Sequence, residues 1–371
     1  MNILFVNTIQ MFGGGEIWML RTLLALKARG HQVMLCCRPG GELSFNAQKA
    51  GISTIEVNFR GDFDPLTISR LAVYLRKYRI DVVLTNMDKE LRLAGMAVKI
   101  CKRKVVVIPR RGIDYPLKNT LRYRFAYNFL ANRIIANSIA TKRALLKNAP
   151  WLEDDRIEVI YNGIDPEAFE KADGSALRET WRVYKDEIVL GFVGQLDSRK
   201  GIGVLLSAFE SIRLKVQNAK LVFVGVGPLR EMIESEIRSK GWQRHVEIAG
   251  FMENVPELMN AIDILVLPSY WEGFGIVLIE AMAAKKPVIS TNISSMPEIV
   301  QNGETGYLFK PGDSEELAHF AIDLLLNPQK RREMGERGHE RVYQLFSESV
   351  MINRLEILFK SELKKLRRDK A

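Results

Sequence analysis

Three observations predict an α/β fold of two Rossmann-like, doubly wound domains facing a cleft. Short apolar runs rich in β-branched residues alternate with amphipathic stretches along the chain. The alternation pauses at a polar stretch, 170–175, and restarts at Ile188-Val189-Leu190-Gly191-Phe192-Val193-Gly194. The length, 371 residues, has room for about two domains.

The first half opens on Ile3-Leu4-Phe5-Val6 and continues with strand-like runs at 33–36, 82–84, 105–108 and 134–136. Between the first two, 16–29 reads as a helix with Ile17, Leu20, Leu24 and Ala28 on one face. The second half carries runs at 221–224, 246–249, 264–267 and 288–290. Strands and helices alternating in this way imply parallel sheets covered on both faces. The expected domains are 1–169 and 170–351. Ligands of open parallel sheets bind beyond the carboxyl ends of the strands, so a cleft between the two domains is the expected site.

Composition narrows the function. Hydrophobic residues make up 47% and charged ones 26%, with no apolar run near bilayer length. The start lacks a basic, apolar and small-residue signal, and Cys36, Cys37 and Cys101 lack metal spacing, which fits reduced thiols in a cytosol. Four histidines without a Cys/His cluster argue against zinc. The net charge of +10 lies wholly in residues 1–170, which hold 26 Lys/Arg against 16 Asp/Glu. Within 99–147, 13 basic residues face one acid, Asp114. Such a surplus is either a binding surface or a solvated face.

The most informative segment is Pro268-Ser269-Tyr270-Trp271-Glu272-Gly273-Phe274-Gly275-Ile276-Val277-Leu278-Ile279-Glu280-Ala281-Met282-Ala283. A buried strand ends at Pro268, a glycine-containing loop follows, and a helix begins near Ile276. Free amides at that helix start form an anion site, and the flanking glycines let a diphosphate approach the backbone. Glu272 in the loop is placed to accept hydrogen bonds from sugar hydroxyls. Glu280 sits in an otherwise apolar helix, where a buried carboxylate needs a partner: a ribose diol, or a neighbouring Lys or Arg. Arg199 and Lys200, after the strand at 188–193, read either as cations for a departing diphosphate or as a solvated basic turn.

The segment resembles the two-glutamate signature of retaining glycosyltransferases of GT-B fold, glycosyltransferase family 4 in particular. Gly13-Gly14-Gly15-Glu16, Val159-Ile160-Tyr161-Asn162-Gly163-Ile164-Asp165, Gly194-Gln195-Leu196, Arg199-Lys200-Gly201, Gly225-Val226-Gly227-Pro228, Pro297-Glu298-Ile299-Val300 and Gly303-Glu304-Thr305-Gly306-Tyr307-Leu308 match in family order. The resemblance implies metal-independent sugar transfer from a nucleotide-diphosphate-sugar, with retained configuration and no cofactor, and a closing helix at about 352–371 that packs back on the first domain. Glu272, Lys200 and Arg199 are then the catalytic set. The donor set is Gly14, Gly15, Gly194, Gln195, Arg199, Lys200, Phe251, Glu272, Gly273, Phe274, Gly275, Ile276, Val277 and Glu280. Glu280 is expected on the donor ribose, and Phe251 lies where relatives contact the base. The acceptor implied is a glycan or a lipid-linked molecule of surface polysaccharide or lipopolysaccharide synthesis, met in the cytoplasm or at the cytoplasmic membrane face.

Two departures from the family pattern stand out. Gln195 occupies a position where many relatives carry arginine, and Val107-Ile108-Pro109-Arg110-Arg111-Gly112-Ile113-Asp114 lacks their histidine. Arg110 and Arg111 are therefore expected to bind an anionic acceptor or the donor phosphate. The only first-half histidine, His31, sits in a turn and reads as structural. The segment 117–130 reads as a helix with Leu117, Leu121, Phe125 and Phe129 on one stripe, which an ordinary helix buries. With the basic residues around it, and the basic tail Lys364-Lys365-Leu366-Arg367-Arg368, it offers an anionic membrane surface a partner.

Competing readings fit less well. The glycine turns fail the dinucleotide pattern G-x-G-x-x-G at its last position, and no P-loop exists. A nucleic-acid-binding protein would explain the basic half but leaves the second half unexplained. A sugar-nucleotide epimerase of the same architecture would convert its sugar without an acceptor.

Overall fold

The computed structural model describes residues 1–368. Thirteen parallel strands form two sheets. The first holds β1 (Asn2–Val6), β2 (Gln32–Cys37), β3 (Ser53–Glu56), β4 (Val82–Thr85), β5 (Val106–Arg111), β6 (Ile134–Ala136) and β7 (Ile157–Val159), ordered β3-β2-β1-β4-β5-β6-β7. The second holds β8 (Ile188–Val193), β9 (Ala219–Val224), β10 (Val246–Gly250), β11 (Ile264–Leu267), β12 (Val288–Thr291) and β13 (Gly306–Phe309), ordered β10-β9-β8-β11-β12-β13. Each order reverses once, between β1 and β4 and between β8 and β11. Those reversals open a crevice at the strand ends.

Period-two alternation builds the first core. Ile3 and Phe5 of β1 join one apolar cluster, and Leu4 and Val6 join the cluster on the opposite face. The strands β3 and β7 escape the sequence reading because their runs are short and broken by polar residues. In the first helix, Gly14–Ala28, the core face is Trp18, Met19, Leu23 and Leu26. The expected face is wrong there: Leu24 is exposed, and Trp18 takes the inward position that Phe5 leaves room for.

The chain divides into two compact units, Met1–Asn162 with the segment from Glu348, and Gly163–Ser347. The crossover thus comes earlier than the expected 169/170 boundary. Ile164 bridges Ser347, and its amide donates to Phe346 O at 3.0 Å, tying 163–169 to the second unit. The helix Glu348–Arg368 places Met351, Ile352, Leu355, Leu358, Phe359 and Leu363 in the first unit's core. Residues 369–371 of the expected closing helix lie outside the described residues. His31 is structural, its ring nitrogen 2.9 Å from Glu356 on that helix.

The stripe at 117–130 departs from the ordinary helix. Leu117 is buried ahead of a short α-turn, Leu121–Phe125, which passes into a π-helix, Ala126–Leu130. The wider π-turn and the Tyr127 hydroxyl, which donates to Asp88, turn Ala126, Tyr127 and Leu130 inward. Leu121 and Phe129 are left 81% and 65% exposed, and Phe125 is exposed beside them.

Candidate functional site

In the second unit the loops after β8 and β11 meet at the sheet reversal. Gly201 adopts φ +65°, and a Cβ there would lie 2.0 Å from Pro268 O, so only glycine lets the loops approach. The Tyr270 amide donates to Arg199 O at 2.7 Å, lacing the two together. Across this seam Lys200 Nζ donates to Glu272 Oε1 at 2.5 Å, and Ser269 Oγ donates to the same oxygen at 2.8 Å. Glu272 is only 9% exposed, so its charge needs the lysine beside it.

The loop 268–275 is fixed from behind. Thr291 Oγ1 donates to Ser269 O at 2.7 Å and Ser295 Oγ donates to Phe274 O at 3.1 Å. The Phe274 ring packs edge-on against Phe346. Gly275, at φ +78°, caps the helix Ile276–Ala283, where a Cβ would meet the Met296 side chain at 2.7 Å. Ile276 and Val277 form the first turn, whose amides precede the helical hydrogen-bond ladder. Glu280 lies buried one stretch along the same helix. Gly273, Phe274, Gly275, Ile276, Val277 and both glutamates therefore belong to one loop-helix unit. Ser269, Thr291 and Ser295 were missed by sequence reasoning, because hydroxyl residues that hold a loop carry no spacing signal.

Arg199 is a tethered cation, its side chain half exposed. Its guanidinium donates to Asp197 at 2.6 Å and to Gln195 Oε1 at 3.0 Å, and it stacks over Trp271 at 5.7 Å. Burial works against the charged form of Asp197, yet the bonds from Arg199 hold its carboxyl below the usual range. Gln195 thus orients an arginine rather than replacing one. Gly194 turns the chain out of β8, and Phe251 projects 70% exposed after β10.

Gly14 and Gly15 lie in the first unit, at the reversal between β1 and β4. They open the helix Gly14–Ala28, capped by Gly13, whose amide donates to Glu16 Oε2 at 3.1 Å. Glu16 Oε1 accepts from Asn7 Nδ2 at 2.9 Å. Behind this loop Glu90 is fully buried and accepts from the amides of Thr8, Asn86 and Met87 and the Thr8 hydroxyl. Burial pushes its carboxyl up to about 7 despite those bonds. Glu90 ties the loop after β1 to the loop after β4.

Arg110 and Arg111, expected on an anionic acceptor or the donor phosphate, both have partners within the first unit. Arg110 is buried, donates to Asn162 Oδ1 at 2.7 Å and lies 3.8 Å from the Trp18 ring centroid; burial draws it down to about 9. Arg111 pairs with Asp88 at 3.0 Å. The strand β5 directs both into side-chain networks of the first unit. No cluster of metal-ligating residues occurs among the described residues.

Two doubly wound units, each with glycine-bearing loops at its sheet reversal, define the GT-B class of α/β protein. Residues 174–341 match the family model "Glycosyl transferases group 1" and residues 12–168 match "Glycosyltransferase Family 4". The chain belongs to this glycosyltransferase family. It is 31% identical to the N-acetyl-alpha-D-glucosaminyl L-malate synthase of Bacillus anthracis over 67% of this chain and 64% of that protein, just under two thirds of its length. It is 28% identical to the capsular polysaccharide biosynthesis glycosyltransferase CapM of Staphylococcus aureus, over 81% and 82% of the chains. The fold matches a glycosyltransferase of Rickettsia africae with TM-score 0.88 at 24% identity, covering 98% of each chain. It also matches Anabaena HepE in complex with UDP, with TM-score 0.84 at 23% identity, covering 97% and 100%.

Proposed function

We propose that this chain transfers a sugar from a nucleotide-diphosphate-sugar to a surface-glycan or lipid-linked acceptor, with retained configuration and without a metal. The observation that carries this reading is the Lys200–Glu272 pair, set at the sheet reversal beside the first turn of the Ile276–Ala283 helix. The Anabaena structures, in complex with UDP and with UDP-glucose, support a nucleotide-sugar donor. The capsular polysaccharide relative supports a surface-glycan product.

In this mechanism Lys200, Arg199 and the amides of Ile276 and Val277 carry the negative charge of the diphosphate. Glu272 accepts hydrogen bonds from hydroxyls of the transferred sugar, Glu280 holds the ribose diol, and Phe251 meets the base. The bond from the anomeric carbon to the diphosphate oxygen breaks. The acceptor oxygen bonds to that carbon on the same face, and its proton passes to the departing phosphate oxygen. No histidine is required. The reaction takes place in the cytoplasm, at the membrane face when the acceptor is lipid-linked. No helix among the described residues is long and apolar enough to cross a membrane, so attachment there is peripheral in this reading.

The test is a thermal-shift screen with UDP, GDP, ADP and CMP and their sugar conjugates, followed by transfer with the stabilising donor. Stabilisation by one nucleotide series supports the reading. Conversion of the donor sugar without any acceptor would replace it with epimerase chemistry.

A further inference from the structure

Cations knit the loop after β3 to the carboxyl ends of the neighbouring strands. Arg38, the first residue after β2, donates from Nε to Thr8 O at 2.6 Å and from Nη2 to Phe59 O at 2.9 Å. Lys89, in the first turn of the helix Asp88–Ile100 after β4, donates to the same Phe59 O at 3.1 Å. One turn on, Arg92 donates to Asp62 at 2.7 Å. The segments leaving β1, β2, β3 and β4 thus meet at the end where such sheets bind their substrates.

A backbone carbonyl asks only for a donor, and a neutral one serves. Here two cations share one carbonyl, and among the described residues neither Arg38 nor Lys89 bonds to a carboxylate. The two acids of the loop are already engaged. Asp62 pairs with Arg92 and Arg122, and Asp64 caps the helix Pro65–Lys77 through the Leu66 amide and the Thr67 hydroxyl. Arg92 is 5% exposed, with Nε and Nη1 buried and without a hydrogen-bond partner. Burial and then the Arg38 charge, with Arg92 adding to them, draw the Lys89 ammonium below its ordinary range against the pull of Asp64. Like charges gathered at a substrate-binding end call for an anion.

The donors left over say which kind of anion. Arg38 spends Nε and Nη2 on carbonyls and keeps Nη1, and Lys89 spends one of its N–H groups and keeps the others. A planar fork beside a point charge suits the oxygens of a phosphate or carboxylate group. We propose that Arg38 and Lys89 bind the oxyanion of an acidic acceptor, one that carries a phosphate or carboxylate group apart from the hydroxyl that receives the sugar. Arg92 stands behind them as a positioning residue, holding the loop through Asp62. This deepens the transferase reading above and rests on it for calling the bound acid an acceptor.

Calorimetric titration of the full chain with inorganic phosphate, L-malate and glycerol, at constant ionic strength, tests it. The wild type binds phosphate or L-malate and not glycerol. Lys89→Gln binds the same anion on the order of tenfold to hundredfold more weakly, as does Arg38→Gln. Lys200→Ala, altered at the donor seam of the other unit, binds it like the wild type. Melting curves verify folding, and Lys89→Gln, which gives up a single carbonyl bond, carries the test if Arg38→Gln unfolds. A preference for phosphate makes the acceptor a phosphate ester, and a preference for L-malate makes it a carboxylic acid. A wild type that binds neither, a Lys89→Gln variant that binds as tightly as the wild type, or an equal loss in Lys200→Ala overturns the proposal. Failure of the transferase reading shows separately, as a wild-type protein that no nucleoside diphosphate stabilises.

Discussion

Lys200 and Glu272 are 72 residues apart in sequence, yet the lysine ammonium donates to the glutamate carboxylate at 2.5 Å across the seam between two loops. Both side chains are largely withdrawn from water, 18% and 11% exposed, so each depends on the other until a ligand divides their attention. A donor diphosphate competes for the lysine and sugar hydroxyls compete for the glutamate. The pair therefore works as a preorganised centre that a ligand completes rather than builds.

Glu272→Ala and Glu280→Gln are each expected to lower transfer on the order of tenfold to hundredfold in a folded protein. A hydrogen bond to a charged group contributes about 1.5–3 kcal/mol. Steady-state rates beside melting curves check this, and near-normal rates in both variants contradict it.

Gly201→Ala is expected to separate the two donor loops, since its Cβ meets Pro268 O at 2.0 Å and its φ is +65°. The cost is on the order of 1–3 kcal/mol of stability, with weaker donor binding. Unfolding curves and donor titrations check both.

The pH dependence of Glu90 has a definite sign. Its folded carboxyl, pushed up by burial to about 7, lies above the ordinary glutamate value of 4.5, so the folded chain holds its proton more tightly. Stability is full below about 4.5 and falls as pH rises through 7, by on the order of 3 kcal/mol. Denaturant unfolding across that window should show the slope in the wild type and not in Glu90→Gln.

Transfer is expected to persist in excess EDTA, because lysine, arginine and helix-start amides take the diphosphate charge in this mechanism. Complete loss of activity, restored by magnesium or manganese, contradicts it.

Much of the fold was legible because buried parallel strands carry continuous apolar runs, as Ile264–Leu267 and, within β9, Leu221-Val222-Phe223-Val224 show. The short strands Ser53–Glu56 and Ile157–Val159 were not, since polar residues interrupt them. The loop at 268–275 and its helix start could be read from glycine and proline placement. The second-layer contacts could not: Gln195 on Arg199, Ser295 on Phe274 and Glu90 on three amides depend on tertiary approach. Nor does a basic pair in a strand tell that β5 buries Arg110 against Trp18 and Asn162.

The central claim is that a nucleoside diphosphate binds at the Lys200 seam. Calorimetric titration of the wild type and of Lys200→Ala with UDP, GDP, ADP and CMP tests it most directly. The account predicts that the wild type binds one of them, and that the variant, still folded, binds it on the order of tenfold to hundredfold more weakly. A wild type that binds none, or a variant that binds as tightly as the wild type, would contradict it.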